Sequence, residues 1–218
     1  MPPTKGWDHT TLPWPSITLS WSLWLSRISS ELTMFRIFMV PVFLVLLCVP
    51  LPIGDTALRI LTAAVFAVTS LTDMIDGKIA RKYNLITDFG KFMDPLADKF
   101  LVMAAMLGIL VKFDYLRPVF VWAAVVVIFR EFAVTSLRLV CAQKAGKVIA
   151  AAWLGKVKTT TQMICIVCVL LEPVILPFKP FTEWHLLSYV TIAVMTVMTL
   201  WSGIDYLRQY WPYIGETK

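Results

Sequence analysis

Six stretches of this chain, 34–51, 57–76, 96–113, 118–140, 152–172 and 185–205, are each apolar over close to the ~20 residues that a helix needs to cross the hydrocarbon of a bilayer. A backbone in that medium must satisfy its own N–H and C=O groups, so only helices and closed barrels can span it. Barrel strands would run about ten residues with alternating polarity, whereas these stretches are longer and continuous. The fold class that follows is an all-α integral membrane protein of six transmembrane helices. With 58% of its 218 residues hydrophobic and 16% charged, the chain is too apolar for a soluble domain of its size. Nothing in it points to nucleic acid.

Lysine and arginine set the orientation. With the N-terminus in the cytoplasm, Arg59, Lys112, Arg117 and Lys179 fall outside and the rest of the 20 basic residues fall inside. The net charge of +6 then gathers on one membrane face, where it attracts anionic lipids and anionic substrates. Residues 1–30 form a separate tail and interfacial segment: 1–15 are Pro-rich, and 16–28 (SITLSWSLWLSRI) suit an interfacial helix with its Trp side chains at the headgroups. No basic stretch, apolar core and small-residue cleavage site follow one another there, so no signal peptide is expected. Residues 31–218 are read as one six-helix membrane domain.

Several polar or reactive residues within the apolar runs have ordinary readings. Cys165-x-x-Cys168 has no second pair and no nearby histidine, which leaves two small apolar side chains in a helix. Arg36 opens the first run as a snorkelling anchor or a substrate contact. The fourth run is different. Arg130-Glu131 interrupts it and Arg138 follows on nearly the same face. Ionisable groups at that depth cost about 2.5–3.5 kcal/mol each, so they must line a watered cavity or pair. Adjacent helical side chains diverge, so Arg130 and Glu131 alone make a poor pair.

The charge is densest from Asp73 to Asp98. Asp73 and Asp76 share a helical face at spacing i, i+3, and Asp94 and Asp98 share one at i, i+4. A short connection makes the two helices antiparallel neighbours, so the pairs can face each other at one depth. Four carboxylates so gathered repel unless two divalent cations neutralise them, and an all-oxygen set suits Mg²⁺ or Mn²⁺ rather than zinc. Gly77 and Ala80 allow a flat ligand against the helix backbone, and Arg81 offers a donor fork to a phosphate. This reads as a two-metal clamp for a diphosphate, built for in-line phosphoryl transfer. A membrane prenyltransferase also binds a diphosphate through Asp-x-x-Asp, but without the Gly77, Ala80, Arg81 context. A cation transporter would place its acids near the midplane on discontinuous helices.

Asp73-x-x-Asp76-Gly77-x-x-Ala80-Arg81, followed after eight residues by Gly90-x-x-x-Asp94-x-x-x-Asp98, resembles in full the signature of the CDP-alcohol phosphotransferases, membrane enzymes of phospholipid synthesis. The resemblance implies that Asp73, Asp76, Asp94 and Asp98 hold two divalent ions on the diphosphate of a CDP-linked lipid. It implies that Gly77, Ala80 and Arg81 form the nucleotide site. Asp98 would also take the proton from the acceptor hydroxyl, which attacks the lipid-side phosphorus and expels CMP. Family members are typically homodimers.

Arg130 to Arg138 (REFAVTSLR) and Gly155-Lys156-x-Lys158-Thr159 are similar to segments of the bacterial branch that joins CDP-diacylglycerol to sn-glycerol 3-phosphate at the cytoplasmic face of the inner membrane. A dianionic acceptor requires several cations in a partly desolvated pocket, and Arg130, Arg138 and Lys156 could supply them. Serine or inositol would not require so many; these, and phosphatidylglycerol, are the alternative acceptors.

Overall fold

The structure, a computed structural model, describes residues 34–83, 88–145, 153–176, 178 and 184–215. Within these the side chains at 73–83, 88–98, 139, 140, 142–145 and 211–215 lie outside the description, as do the tail and interfacial helix expected for 1–30. All regular structure among the described residues is helical: α1 (Met34–Cys48), α2 (Asp55–Tyr83), α3 (Asp88–Lys112), α4 (Arg117–Ala145), α5 (Trp153–Ile175) and α6 (Leu186–Gly215). Each expected apolar run therefore falls on one helix. Four of them carry a stretch long and apolar enough to cross a membrane: Asp55–Thr72, Arg117–Arg138, Trp153–Ile175 and Leu186–Tyr210. α1 is apolar but shorter. α3 is charged through its first half, which leaves 100–111 as its uninterrupted apolar stretch.

The helices outrun their apolar runs at one end. α2, α4 and α6 have 29, 29 and 30 residues, or about 44 Å at 1.5 Å per residue, against about 30 Å of hydrocarbon. The excess comes after Asp76 in α2, after Val140 in α4 and after Asp205 in α6, so these helix ends carry the charge. Threonines in the apolar parts bond their own helix. Thr62, Thr69, Thr196 and Thr199 each donate to the carbonyl four residues back at 2.7 Å, which leaves no hydroxyl seeking water.

Packing follows from small residues. Ala104, Ala105, Ala123 and Ala124 are buried between α3 and α4 beside Met106, Ile109 and Phe120. Gly108 of α3 lies against α1 so closely that a Cβ there would meet Leu47 Cδ2 at 2.6 Å. Phe43 and Phe66 join α1 to α2 with ring centroids 5.7 Å apart. Bulky side chains also face outward, among them Phe38, Trp122 and Phe129 at 70–74% exposure. That would be an aggregation hazard in water and is the expected lipid contact in a bilayer, where close packing rather than hydrophobicity joins helices.

At the end opposite the charge, a buried carboxylate closes the bundle. Glu172 of α5 is fully buried and accepts from Leu187 N at 2.8 Å and Ser188 N at 3.2 Å, and from the Ser188 hydroxyl. These are first-turn N–H groups of α6, which lack partners within their own helix. Glu172 thus caps a helix other than its own. His185 turns the chain into α6 with φ 48° and stacks on Tyr115 at 3.8 Å, while the Tyr189 hydroxyl donates to the Tyr115 carbonyl at 3.0 Å. Burial raises the Tyr115 phenol above its ordinary pKa, so it stays un-ionised at neutral pH. Glu172→Gln should lower stability by about 1.5–3 kcal/mol, the scale of hydrogen bonds to a charged group. An unchanged unfolding temperature in detergent would count against the cap.

Candidate active site

The buried stripe of α5 decides which of its cations turns inward. Lys158, Gln162, Cys165, Ile166 and Val169 recur at helical spacing and are all buried. Lys156 is off that stripe and is exposed. Cys165 sits on the stripe as a free thiol at 0% exposure, consistent with a packing role. α6 carries a matching stripe, Ile192, Met195, Thr199, Ser202, Tyr206 and Tyr210, whose polar members gather toward the charged end. A small second core of Val134, Cys141, Tyr206 and Tyr210 joins α4 to α6 there.

Glu131 of α4 is the centre of this region. Its Oε1 accepts from Lys158 Nζ, and Arg130 NH1 lies 3.1 Å from the same oxygen. Lys99 of α3 stands 4.0 Å from Oε2 and donates to the Thr135 hydroxyl. The side chains of Lys158, Arg130 and Glu131 are only 5%, 10% and 12% exposed. Arg130 and Glu131 pair, but not alone: the long guanidinium arm reaches back, and Lys158 from α5 shares the oxygen. Arg130 also donates to the Ser202 hydroxyl at 2.6 Å and lies 5.2 Å from the Tyr206 ring centroid. Arg138 is exposed, donates to the Tyr206 hydroxyl and lies 5.0 Å from the same ring.

A cavity of about 30 Å³ opens among Lys99, Glu131, Lys158, Thr159 and Gln162, with Val102, Met103 and Val127 as its apolar side. That is room for about one water. The amide nitrogen of Gln162, 1% exposed, has no partner among the described residues, so the cavity holds polar demand as well as space.

The structure brings Arg130 and Arg138 together on one tyrosine and draws Lys158, rather than Lys156, to Glu131. Glu131 and Lys158 stand in segments that the sequence already marks, whereas Lys99, Ser202 and Tyr206 do not. The stripe periodicity of α5 and α6 marks Lys158, Ser202 and Tyr206 as inward-facing without showing what they meet. Arg36 is 4% exposed, which places it within the protein rather than snorkelling outward.

Of the acids, Asp73 and Asp76 stand in the last turns of α2 beyond its apolar part, and Asp94 and Asp98 in the first half of α3. Their side chains, and those of Gly77, Ala80 and Arg81, lie outside the described residues. The helical backbone at both places is what the i, i+3 and i, i+4 spacings require, and an all-carboxylate donor set is the chemistry that hard divalent cations prefer. Lys99 directly follows Asp98, and its contacts with Glu131 and Thr135 set this level of α3 beside the basic cluster.

The sequence profile described as CDP-alcohol phosphatidyltransferase matches residues 27–201. The chain belongs to that family. This CDP-alcohol phosphatidyltransferase is 41% identical over 204 residues to the CDP-diacylglycerol–glycerol-3-phosphate 3-phosphatidyltransferase of Bacillus subtilis, covering 88% of this chain and 99% of that protein. It is 35% identical over 196 residues to a probable phosphatidylglycerophosphate synthase of Mycobacterium tuberculosis, covering 89% and 86%. Over 185 residues it is 37% identical to the CDP-diacylglycerol–glycerol-3-phosphate 3-phosphatidyltransferase of Shigella flexneri, covering 83% and 93%. The family match begins at Arg27, so most of the 1–30 segment precedes it.

Proposed function

We propose that this enzyme transfers the phosphatidyl group of CDP-diacylglycerol to sn-glycerol 3-phosphate, forming phosphatidylglycerol phosphate and CMP. The observation that carries the acceptor assignment is the convergence of Lys99, Arg130 and Lys158 on the single carboxylate of Glu131, with Arg138 exposed beside them. A buried cluster with more cations than carboxylates among its described members is suited to a dianionic phosphate. Arg130, Arg138 and Lys156 are the proposed acceptor-phosphate ligands, with Arg138 and Lys156 the exposed members.

Asp73, Asp76, Asp94 and Asp98 would hold two divalent cations, Mg²⁺ or Mn²⁺, which neutralise charge on the diphosphate and the departing nucleotide. Gly77, Ala80 and Arg81 hold the cytidine end. Asp98 takes the proton of the acceptor hydroxyl as its oxygen bonds to the lipid-side phosphorus; the bond from that phosphorus to the CMP oxygen breaks, and CMP leaves with the electron pair. We further propose a homodimer with six spans in the bacterial inner membrane; the basic-residue distribution supports an orientation with the acids and cations facing the cytoplasm.

The test is CMP release by the purified protein given CDP-diacylglycerol and Mg²⁺ with glycerol 3-phosphate, serine, inositol or phosphatidylglycerol in turn. Release with glycerol 3-phosphate is expected. Release with serine alone would overturn the acceptor while leaving the family intact.

A further inference from the structure

Arg130 and Arg138 occupy positions eight residues apart on α4, and one side chain of a different helix touches both. Tyr206 is fully buried, its ring centroid lies 5.2 Å from the Arg130 guanidinium carbon and 5.0 Å from that of Arg138, and its hydroxyl accepts from Arg138 NH2. Tyr210 stacks behind it, centroids 5.8 Å apart and planes 19° from parallel, which fixes the ring's tilt. One turn earlier, Ser202 takes the other arm of Arg130 at 2.6 Å, and Gly203 leaves room for the arginine stem, since a Cβ there would stand 3.2 Å from Arg130 Cγ.

An arginine side chain is long and rotamer-rich, and a site that must bind a phosphate through two of them gains from having both held before the ligand arrives. The face of an aromatic ring attracts guanidinium groups without neutralising them. A carboxylate in the same place would hold the arginines equally well but cancel the charge that the ligand needs. We infer that Tyr206 is the positioning residue of the acceptor site, holding Arg130 and Arg138 in register for the acceptor phosphate without adding a second carboxylate to the one, Glu131, that Arg130 already meets at 3.1 Å. This rests on the reading of those arginines as acceptor ligands. It adds a residue on α6, which carries none of the acids or cations assigned to the reaction.

The experiment compares Tyr206→Phe and Tyr206→Leu with wild type in detergent, measuring kcat and the separate KM values for glycerol 3-phosphate and CDP-diacylglycerol at saturating Mg²⁺. The Phe variant keeps the ring and loses the hydroxyl that orients Arg138, so the glycerol 3-phosphate KM should rise about tenfold, with kcat and the CDP-diacylglycerol KM within about twofold of wild type. The Leu variant also loses the ring and should raise that KM further, to about a hundredfold. Should the Leu variant fail to fold, the Phe variant decides, because it removes a single oxygen. An unchanged acceptor KM in the Phe variant, or an equal decline in kcat and both KM values, overturns the inference. A wild-type enzyme inactive with glycerol 3-phosphate overturns the acceptor reading instead, and the wild-type control separates the two failures.

Discussion

Asp98→Asn is expected to abolish most transfer, with kcat falling by about 10²–10⁴-fold, the usual contribution of a positioned general base. Asparagine keeps one oxygen for a cation and loses the capacity to accept a proton. Metal binding should therefore weaken far less than turnover, and Mn²⁺ titration of the variant measures the two separately. Recovery of full activity at high Mg²⁺ would reduce Asp98 to a ligand alone. The placement of Lys99 against Glu131 and Thr135 puts this level of α3 at the basic cluster, where a base for a phosphate-bearing alcohol is needed.

Glu131→Gln should lower stability by about 3–5 kcal/mol. It leaves Lys158 and Arg130, at 5% and 10% side-chain exposure, without the carboxylate they share. Removing the carboxylate of a buried pair costs about 3–5 kcal/mol because the cations lose their opposite charge where little water reaches them. The Asp114–Arg117 pair at the opposite end, 80% and 54% exposed, is worth no more than about 1 kcal/mol. Thermal unfolding in detergent should rank the two mutations in that order. Combining Glu131→Gln with Lys158→Met removes the buried cation that loses its carboxylate and should recover part of the loss; a double variant no better than Glu131→Gln alone would sink the account.

Much of the fold was legible because hydropathy reports what a bilayer demands. Each of the six apolar runs lies on its own helix, and Cys165 is part of a packed stripe with Cys168 half-buried beside it. The helix ends depart from the apolar runs in both directions: α1 ends at Cys48, inside its 34–51 run, whereas α3, α4 and α6 outrun theirs. Hydropathy sees the part of a helix that meets hydrocarbon, so α4 was expected to stop at Val140 and α6 at Asp205, whereas they continue to Ala145 and Gly215. The same ceiling affects the span count, since the acids of α3 dilute a run that its fold neighbours keep helical. Lys156 and Lys158 were separable in principle by the periodicity that buries one and exposes the other. Tyr206 was not, because its significance comes from two arginines on a helix distant in sequence. Cross-helix pairing of this kind leaves no spacing to read, whereas the Asp73 to Asp98 pattern is carried by two consecutive helices and shows in the chain itself.

The cavity beside Glu131 stops short. Val102, Met103 and Val127 form its apolar side, and the fully buried Ala105, Met106, Ile109 and Ile166 belong to the hydrophobic core of the bundle. An energised membrane is a charged capacitor, and a protein that gathers acids, cations and a departing nucleotide against one of its plates risks becoming a wire. A close-packed aliphatic core beneath the charged layer is an insulator.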